Sequence, residues 1–291
     1  MIFSFLNFYF CLLLVINMIF LGPAGNAIEA KEKTTEGSLK YLKEIGLNAQ
    51  EIEFVRNVYL NPKKAEEIGE LAKSLGIKLS VHAPYFINLL SDKKEIVKGS
   101  IQRILDSIDR AERMNATNVV VHAAYYGELK KAEAFERLLE ITKEILEKAK
   151  ENGMRKVKLS YETMAKESQF ADLDTLLALV KKIKSKNFTV CIDFAHIFVR
   201  NQGKIDYAEI FDKIKNFKEI FCHFSNVKYN VNTKKFMDVH IPINSHPPFK
   251  SLAQEILKRK IKNITIISES PILEKDSLKM KKIFEELGYK F

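Results

Sequence analysis

Short runs of apolar, β-favouring residues alternate along the chain with longer segments in which apolar residues recur every three or four positions. The short runs predict buried strands, and the longer segments predict amphipathic helices. One such helix places Leu39, Leu42 and Ile45 on one face and is expected to end at Gly46. Eight strand and helix pairs of this kind follow one another from Met18 to the C-terminus. Strict alternation predicts a parallel sheet, and eight units favour a single (β/α)8 TIM barrel over an open doubly wound sheet.

The length and composition fit one domain. With 291 residues, 46% of them apolar, the chain can bury a large core, and no internal linker is visible. Residues 1–17 are hydrophobic enough to suggest a membrane segment or a signal peptide, but no basic residue precedes this apolar run. The run that begins at Met18 fits a first barrel strand followed by a Gly/Pro turn. We therefore predict a barrel domain over residues 18–291 and interpret residues 1–17 as a hydrophobic N-terminal extension, from a misassigned start or an anchor.

The charge balance and the cysteines bear on the partner and the compartment. There are 47 basic and 37 acidic residues, and the formal charge of +10 favours an anionic partner such as nucleic acid. Lysine-rich helices that are simply solvated would give the same charge. Three scattered cysteines without CxxC spacing argue for a reducing compartment. We predict a cytoplasmic monomer, with no membrane partner unless residues 1–17 are retained.

Ionisable residues stand where the apolar runs end, which is the most informative feature of the sequence. The candidates are His82, His122, Glu162, Asp193, His196, His223, Asp238, His240 and Glu269. In a parallel barrel, the carboxyl ends of the strands meet at one face, where such folds hold their chemistry. Asp238 and His240 lie in the long stretch 225–249 and alternate across Val239, so both point the same way if that piece is extended.

Any one of these residues alone is weak support for a site, and the set carries the argument. Carboxylates clustered in a barrel mouth need cations to offset their charge. Imidazole and carboxylate together suit zinc or a similar divalent ion, and the absence of cysteine ligands points to a catalytic site. With about three protein ligands per catalytic ion and one bridging carboxylate, two or three ions fit the count. Such a centre is suited to phosphodiester hydrolysis, and a basic surface fits DNA.

The same residues resemble the endonuclease IV family of abasic-site DNA repair enzymes, from Met18 to the C-terminus. The motifs that carry the resemblance are HAPYFINL from His82, the strand-end His122, Glu162 with Thr163, CIDFAH from Cys191 to His196, His223, the Asp-x-His of Asp238 and His240, and Glu269. The resemblance implies a zinc-dependent endonuclease of base excision repair, which hydrolyses the phosphodiester 5′ to abasic sites in double-stranded DNA. It implies about three zinc ions, with manganese in part.

The resemblance also implies a role for each ligand. His82 and His122 would hold a first ion, which Glu162 bridges to a second. Asp193, His223 and Glu269 would complete the second, and His196, Asp238 and His240 would hold the third. Glu162 and Glu269 are the expected catalytic residues, with Glu269 orienting the attacking water. Tyr85 stands where the family has a tyrosine that probes DNA, and Arg56 is a candidate phosphate contact.

Several loops depart from the family pattern while the ligands are kept. His122 is followed by Ala123 and Ala124 in place of Pro-Gly, and the triplet at Asp238 reads Asp-Val-His in place of Asp-Arg-His. Because these loops would contact DNA, two alternatives stay open. One is a metal-dependent sugar isomerase or epimerase of the same barrel superfamily. The other is a metal- and DNA-binding barrel without turnover.

Overall fold

The computed structural model describes residues 18–291, so the prediction for residues 1–17 falls outside the described part of the chain. Strands and helices alternate through it. In chain order they are β1 (Met18–Pro23), α1 (Thr35–Glu44), β2 (Ala49–Glu53), α2 (Pro62–Leu75), β3 (Lys78–His82), α3 (Lys94–Arg113), β4 (Asn118–Val121), β5 (Ala124–Tyr125), α4 (Lys131–Glu151), β6 (Lys158–Glu162), β7 (Gln169–Phe170), α5 (Leu173–Ile183), β8 (Phe188–Asp193), α6 (Phe194–Arg200), α7 (Tyr207–Lys213), β9 (Ile220–Phe224), β10 (Asn226–Asn230), β11 (Lys235–Ile241), α8 (Phe249–Lys258), β12 (Asn263–Ser268) and α9 (Glu274–Glu286).

Eight of the strands form one parallel sheet in the order β1-β12-β9-β8-β6-β4-β3-β2. The sheet closes between β1 and β2, where the Gly25 amide donates to the Glu51 carbonyl at 3.0 Å. Gly22 permits this closure, because a Cβ there would lie 1.7 Å from the Ala49 carbonyl oxygen. The predicted (β/α)8 barrel is therefore confirmed. No helix within residues 18–291 is long and apolar enough to cross a membrane.

The core has an outer and an inner part. The outer part lies between the strands and the apolar faces of the surrounding helices. The inner part fills the barrel lumen with Ala49, Val120, Cys191, Phe221 and Ile267. Because both faces of a TIM-barrel strand are covered, a polar side chain within a strand must face either the lumen or a helix.

Two local features go beyond the apolar pattern. The run FTVCIDFA from Phe188 predicts a strand through Ala195, but β8 ends at Asp193 and α6 follows at once. The reason is that the Asp193 side chain accepts a hydrogen bond from the His196 amide at 2.6 Å, which caps the helix. The stretch 225–249 is not a plain loop, because β10 and β11 pair in it as an antiparallel hairpin.

Candidate metal centre

The nine predicted ligands converge at the carboxyl ends of the barrel strands. His82, Glu162, Asp193 and His223 lie at or next to the ends of β3, β6, β8 and β9, while His122 and Glu269 directly follow β4 and β12. His196 differs, because it stands in the first turn of α6.

Asp238 and His240 reach the site from β11, which leaves the barrel as part of the hairpin. The two residues lie on the same side of the strand, as their alternation predicts. Phe236, on the same strand, anchors the hairpin through a ring contact of 4.6 Å with Phe198 of α6. His246, the remaining histidine, is an exposed loop residue near this contact, with its ring stacked on Phe198 at 6.1 Å.

Glu162 occupies the centre of the cluster and is fully buried. Its Oε2 lies 3.0 Å from His122 Nε2 and 3.4 Å from His82 Nε2. Its Oε1 lies 3.1 Å from His196 Nδ1 and 3.5 Å from His223 Nδ1. Burial alone would raise the pKa of Glu162, but the positive charges of His122 and His223 outweigh it and hold that pKa well below its usual range. A carboxylate placed between histidines in this way can bridge two cations.

The ligand atoms fall into three groups around Glu162. Within each of three sets, the ligand atoms lie within 4.8 Å of one another: His82, His122 and Glu162; Glu162, Asp193, His223 and Glu269; and Asp193, His196 and His240. Asp238 joins the last set, because its Oδ1 is 3.2 Å from His196 Nε2 and 4.0 Å from His240 Nε2. The structure thus brings the nine candidate ligands together, with Asp193 shared between the second and third sets.

Cys191 also lies close to Glu162 and His223. It is fully buried in the lumen, and burial raises the pKa of its thiol well above the usual value. Because the thiolate is the metal-binding form of cysteine, Cys191 is better described as a lumen residue beneath the site.

In three histidines Nδ1 faces a backbone carbonyl, and in His196 it also contacts Glu162. Nδ1 of His82 lies 2.8 Å from the Ala83 carbonyl, and Nδ1 of His196 lies 2.9 Å from the Thr163 carbonyl. Nδ1 of His240 lies 3.2 Å from the Glu269 carbonyl. Such contacts favour a hydrogen on Nδ1, so that the lone pair of Nε2 points into the site, as a metal-binding histidine requires.

Buried polar atoms without a hydrogen-bond partner test whether the residues fit divalent cations. Glu162 Oε1, Asp193 Oδ2, Glu269 Oε2 and His223 Nδ1 are all of this kind. Burial raises the pKa of Asp193 to about 7, because the carboxylate has lost water without full compensation from His196. Unsatisfied carboxylates and imidazoles at close range are costly unless cations bind between them. The donor set therefore fits a group of divalent ions such as zinc.

Two further carboxylates, which the sequence analysis did not single out, face the site from β2. Glu51 is fully buried, and its Oε1 lies 2.9 Å from His223 Nε2. Glu53 lines the mouth of the site, and its Oε1 is buried without a partner. Burial raises the pKa of Glu53 to about 8, although the positive charge of His82 offsets part of the effect.

Tyr85 and Arg56 lie at the rim, where the sequence placed them. The Tyr85 side chain is 51% exposed and packs its ring 5.5 Å from His82 and 5.9 Å from His122. Burial against the site raises the pKa of its hydroxyl, and the negative charge of Glu53 adds to the effect. Arg56 is exposed just beyond β2. The open mouth that Tyr85 borders has a volume of about 400 Å³.

Comparison with known proteins agrees with the fold. A family model described as a xylose isomerase-like TIM barrel matches residues 39–286. The uncharacterized protein MJ0133 of Methanocaldococcus jannaschii is 31% identical over 282 residues, covering 93% of this chain and 98% of its own length. The protein named probable endonuclease 4 of Mycoplasmopsis synoviae is 28% identical over 220 residues, covering 73% and 76%. A solved D-tagatose 3-epimerase-like protein superposes with a TM-score of 0.68 at 25% identity, over 86% of this chain and 91% of its own.

Proposed function

The chain belongs to the xylose isomerase-like TIM barrel family, and we propose that it is a zinc-dependent DNA repair endonuclease. This membership confirms the resemblance drawn from the motifs. The proposed reaction is hydrolysis of the phosphodiester 5′ to an abasic site in double-stranded DNA. The third group of ligands, His196, Asp238 and His240, carries the proposal. A sugar isomerase needs one or two ions and has no evident use for a third. Similarity to a probable endonuclease 4 supports the same choice.

Two carboxylates of the site, Glu162 and Glu269, have distinct tasks in the proposed reaction. Divalent ions bound by these ligands would neutralise phosphate oxygens, lower the pKa of a bound water and stabilise the leaving oxygen. Glu162, buried between four histidines, would hold the ligand groups at fixed spacing. Glu269 borders the open mouth, and its Oε2 lacks a partner, so it can accept a hydrogen bond from the attacking water. Although burial opposes ionisation, the positive charge of His223 keeps the pKa of Glu269 well below its usual range.

The rim would contact DNA outside the reacting phosphate. Tyr85 is half-exposed above His82 and His122, where its ring can pack against an unstacked base or sugar. Lys166 lies 3.8 Å from Asp238 and is itself mostly exposed, which places a positive charge at the mouth for a flanking phosphate. Arg56 offers a second such charge at the end of β2.

The direct test uses protein begun at Met18 and a duplex with one tetrahydrofuran abasic analogue, which resists β-elimination. We expect cutting on the 5′ side that leaves a 3′ hydroxyl, is abolished by prior chelation and returns with zinc. His240→Ala should reduce cutting by at least about 100-fold, since second-shell changes alone cost 10–100-fold. His246→Ala is the matched control, because that histidine lies outside the ligand set. Absence of cutting by folded, metal-loaded protein would exclude the endonuclease.

A sugar epimerase is the second candidate, favoured by the likeness to a D-tagatose 3-epimerase-like protein. The additional carboxylate Glu53, which lines the mouth, also suits a neutral, hydroxyl-rich ligand better than a phosphate. Incubation of metal-loaded protein with D-tagatose, followed by chromatography of the sugars, tests this candidate. Metal-dependent binding of the abasic duplex with neither cutting nor sugar conversion would instead identify a binding barrel without turnover.

A further inference from the structure

Glu51 lies on β2 with its side chain in the barrel lumen, one layer below the ligands. It is fully buried, and its Oε2 accepts a hydrogen bond from Ser80 Oγ at 2.8 Å. Its Oε1 lies 2.9 Å from Nε2 of His223. Neither of these two atoms has a hydrogen-bond partner, so the close contact between them acts through charge. Glu51 and His223 therefore have each other as partners at this point of the lumen.

His223 is turned differently from the other histidines of the centre. Its Nδ1 faces the second group of ligands, 3.2 Å from Glu269 Oε1 and 3.5 Å from Glu162 Oε1. Its Nε2 faces Glu51, whereas in His82 and His196 it is Nδ1 that faces a backbone carbonyl. A neutral imidazole carries one hydrogen, and a carboxylate oxygen at this distance is favourable only beside the nitrogen that carries it. Glu51 thus selects the tautomer whose lone pair is on Nδ1.

We propose that Glu51 is a positioning residue of the metal centre: its carboxylate holds the hydrogen of His223 on Nε2, so that Nδ1 is presented to the second cation. The inference rests on the proposed metal-dependent function. A carboxylate in this position also makes the imidazole a stronger donor than a backbone carbonyl would, because its negative charge favours electron density on the ring. The affinity for the cation should therefore rise at the second ion site. This site includes the bridging Glu162 and the water-orienting Glu269.

The first experiment examines His223 without any metal. Histidines labelled with ¹⁵N report their tautomer through the chemical shifts of the two ring nitrogens, and chelated protein is used throughout. Spectra are recorded at alkaline pH, where the imidazole is neutral, because, although burial opposes it, the carboxylates Glu269, Glu51 and Glu162 raise the pKa of His223 well above its usual value in the metal-free protein. At that pH the wild type should show His223 with its hydrogen on Nε2, and Glu51→Leu should show a mixture of tautomers or the reverse form. Glu53→Gln is the matched control, since it removes one charge from the same strand but leaves the contact with His223 intact. An unchanged His223 tautomer in Glu51→Leu would overturn the proposal.

The second experiment measures zinc affinity site by site in a competition titration with a chelating dye. Glu51→Leu should weaken one site by 10–100-fold, within the range found for outer partners of metal-bound histidine. Glu51→Gln should restore most of the affinity, since an amide oxygen can still face Nε2 while its amino group meets Ser80. Equal loss in Glu51→Gln and Glu51→Leu, or loss spread over all sites, would contradict a positioning role. Intact zinc binding without DNA cutting in the wild type would count against the endonuclease alone.

Discussion

Replacing Glu53 by glutamine should remove a pH-dependent destabilisation of the metal-free protein. Its Oε1 is buried without a partner, although the residue as a whole is partly exposed. Burial raises the pKa of Glu53 from 4.5 to about 8 in the folded state. The unfolded chain loses this proton near pH 4.5, whereas the folded chain keeps it until about pH 8. Folded protein thus binds more protons in this window, so its stability falls as pH rises from 4.5 through 8.

The size of the effect follows from the pKa difference. One pKa unit corresponds to about 1.4 kcal/mol, so the full shift would be worth about 5 kcal/mol. Water that reaches the exposed part of the side chain reduces this, and we expect about 2–3 kcal/mol. His82 acts in the same direction: burial lowers its pKa, but the charges of Glu53 and Glu162 outweigh burial and raise it to about 10. Its stabilising contribution is complete below pH 6.5 and is lost as pH rises through 10.

Urea unfolding of chelated wild type and Glu53→Gln at pH 5, 6, 7, 8 and 9 measures the difference. The free energy of unfolding of the variant should exceed that of the wild type by an amount that grows with pH to about 2–3 kcal/mol. Glu67→Gln, at an exposed position on α2, should follow the wild-type curve. Zinc should shrink the difference, since nearby cations stabilise the ionised carboxylate. Parallel curves for wild type and Glu53→Gln would refute the reasoning.

Three further changes have expected outcomes of different kinds. Asp238→Asn should lower the zinc content by about one ion per chain, because Oδ1 of Asp238 is the carboxylate contact of His196 Nε2. Elemental analysis measures this content, and an unchanged zinc content would show that Asp238 is not a ligand. Gly22→Ala should lower the free energy of unfolding by at least about 3 kcal/mol in urea, because its Cβ would overlap the Ala49 carbonyl; wild-type stability would mean that β1 shifts freely. Tyr85→Ala should weaken binding of an abasic duplex about 10-fold at constant zinc content, because a stacking ring is lost. Fluorescence anisotropy measures the affinity, and equal affinity of variant and wild type would show that Tyr85 does not contact DNA.

The convergence of the candidate ligands could be predicted from the sequence because strand ends meet in a parallel barrel. A histidine or carboxylate directly after an apolar run must lie at the mouth, whatever the details of the loops. His122 and Glu269 illustrate this, since both follow their strands at once. The prediction needed only the number of strands and their direction, which the alternation of apolar runs and amphipathic segments supplies.

The same reasoning did not identify Glu51 and Glu53, because they lie within or at the edge of a strand whose sequence pattern indicates that it is half-exposed. The segment EIEF, from Glu51 to Phe54, alternates polar and apolar residues, which is typical of a strand with one face in water. In a barrel both faces are covered, so Ile52 and Phe54 pack under the helices and the two carboxylates point into the lumen. Once a barrel is predicted, the alternation of side chains between the helix-facing and lumen-facing sides of the strand is the signal that identifies the two carboxylates.

The helix α6 and the hairpin depended on side-chain contacts that apolar periodicity does not report. Asp193 serves both as candidate ligand and as the helix cap, so the chain turns where the hydrophobic run would continue. In the hairpin turn, the Asn230 side chain accepts hydrogen bonds from the amides of Asn232 and Thr233. Such local polar contacts decide where a strand ends, whereas the apolar pattern decides only that a strand is present.

The number of bound cations distinguishes the two candidate functions on grounds of charge. Six carboxylates face the mouth and the lumen beneath it: Glu51, Glu53, Glu162, Asp193, Asp238 and Glu269. When all are ionised, three divalent ions neutralise them and two leave a net negative charge. A phosphodiester would be repelled by the second arrangement, whereas a neutral sugar would not. Elemental analysis of protein purified without added metal should therefore find about three zinc ions per chain if the substrate is DNA. Two ions together with conversion of a ketose would assign the same ligands to sugar chemistry.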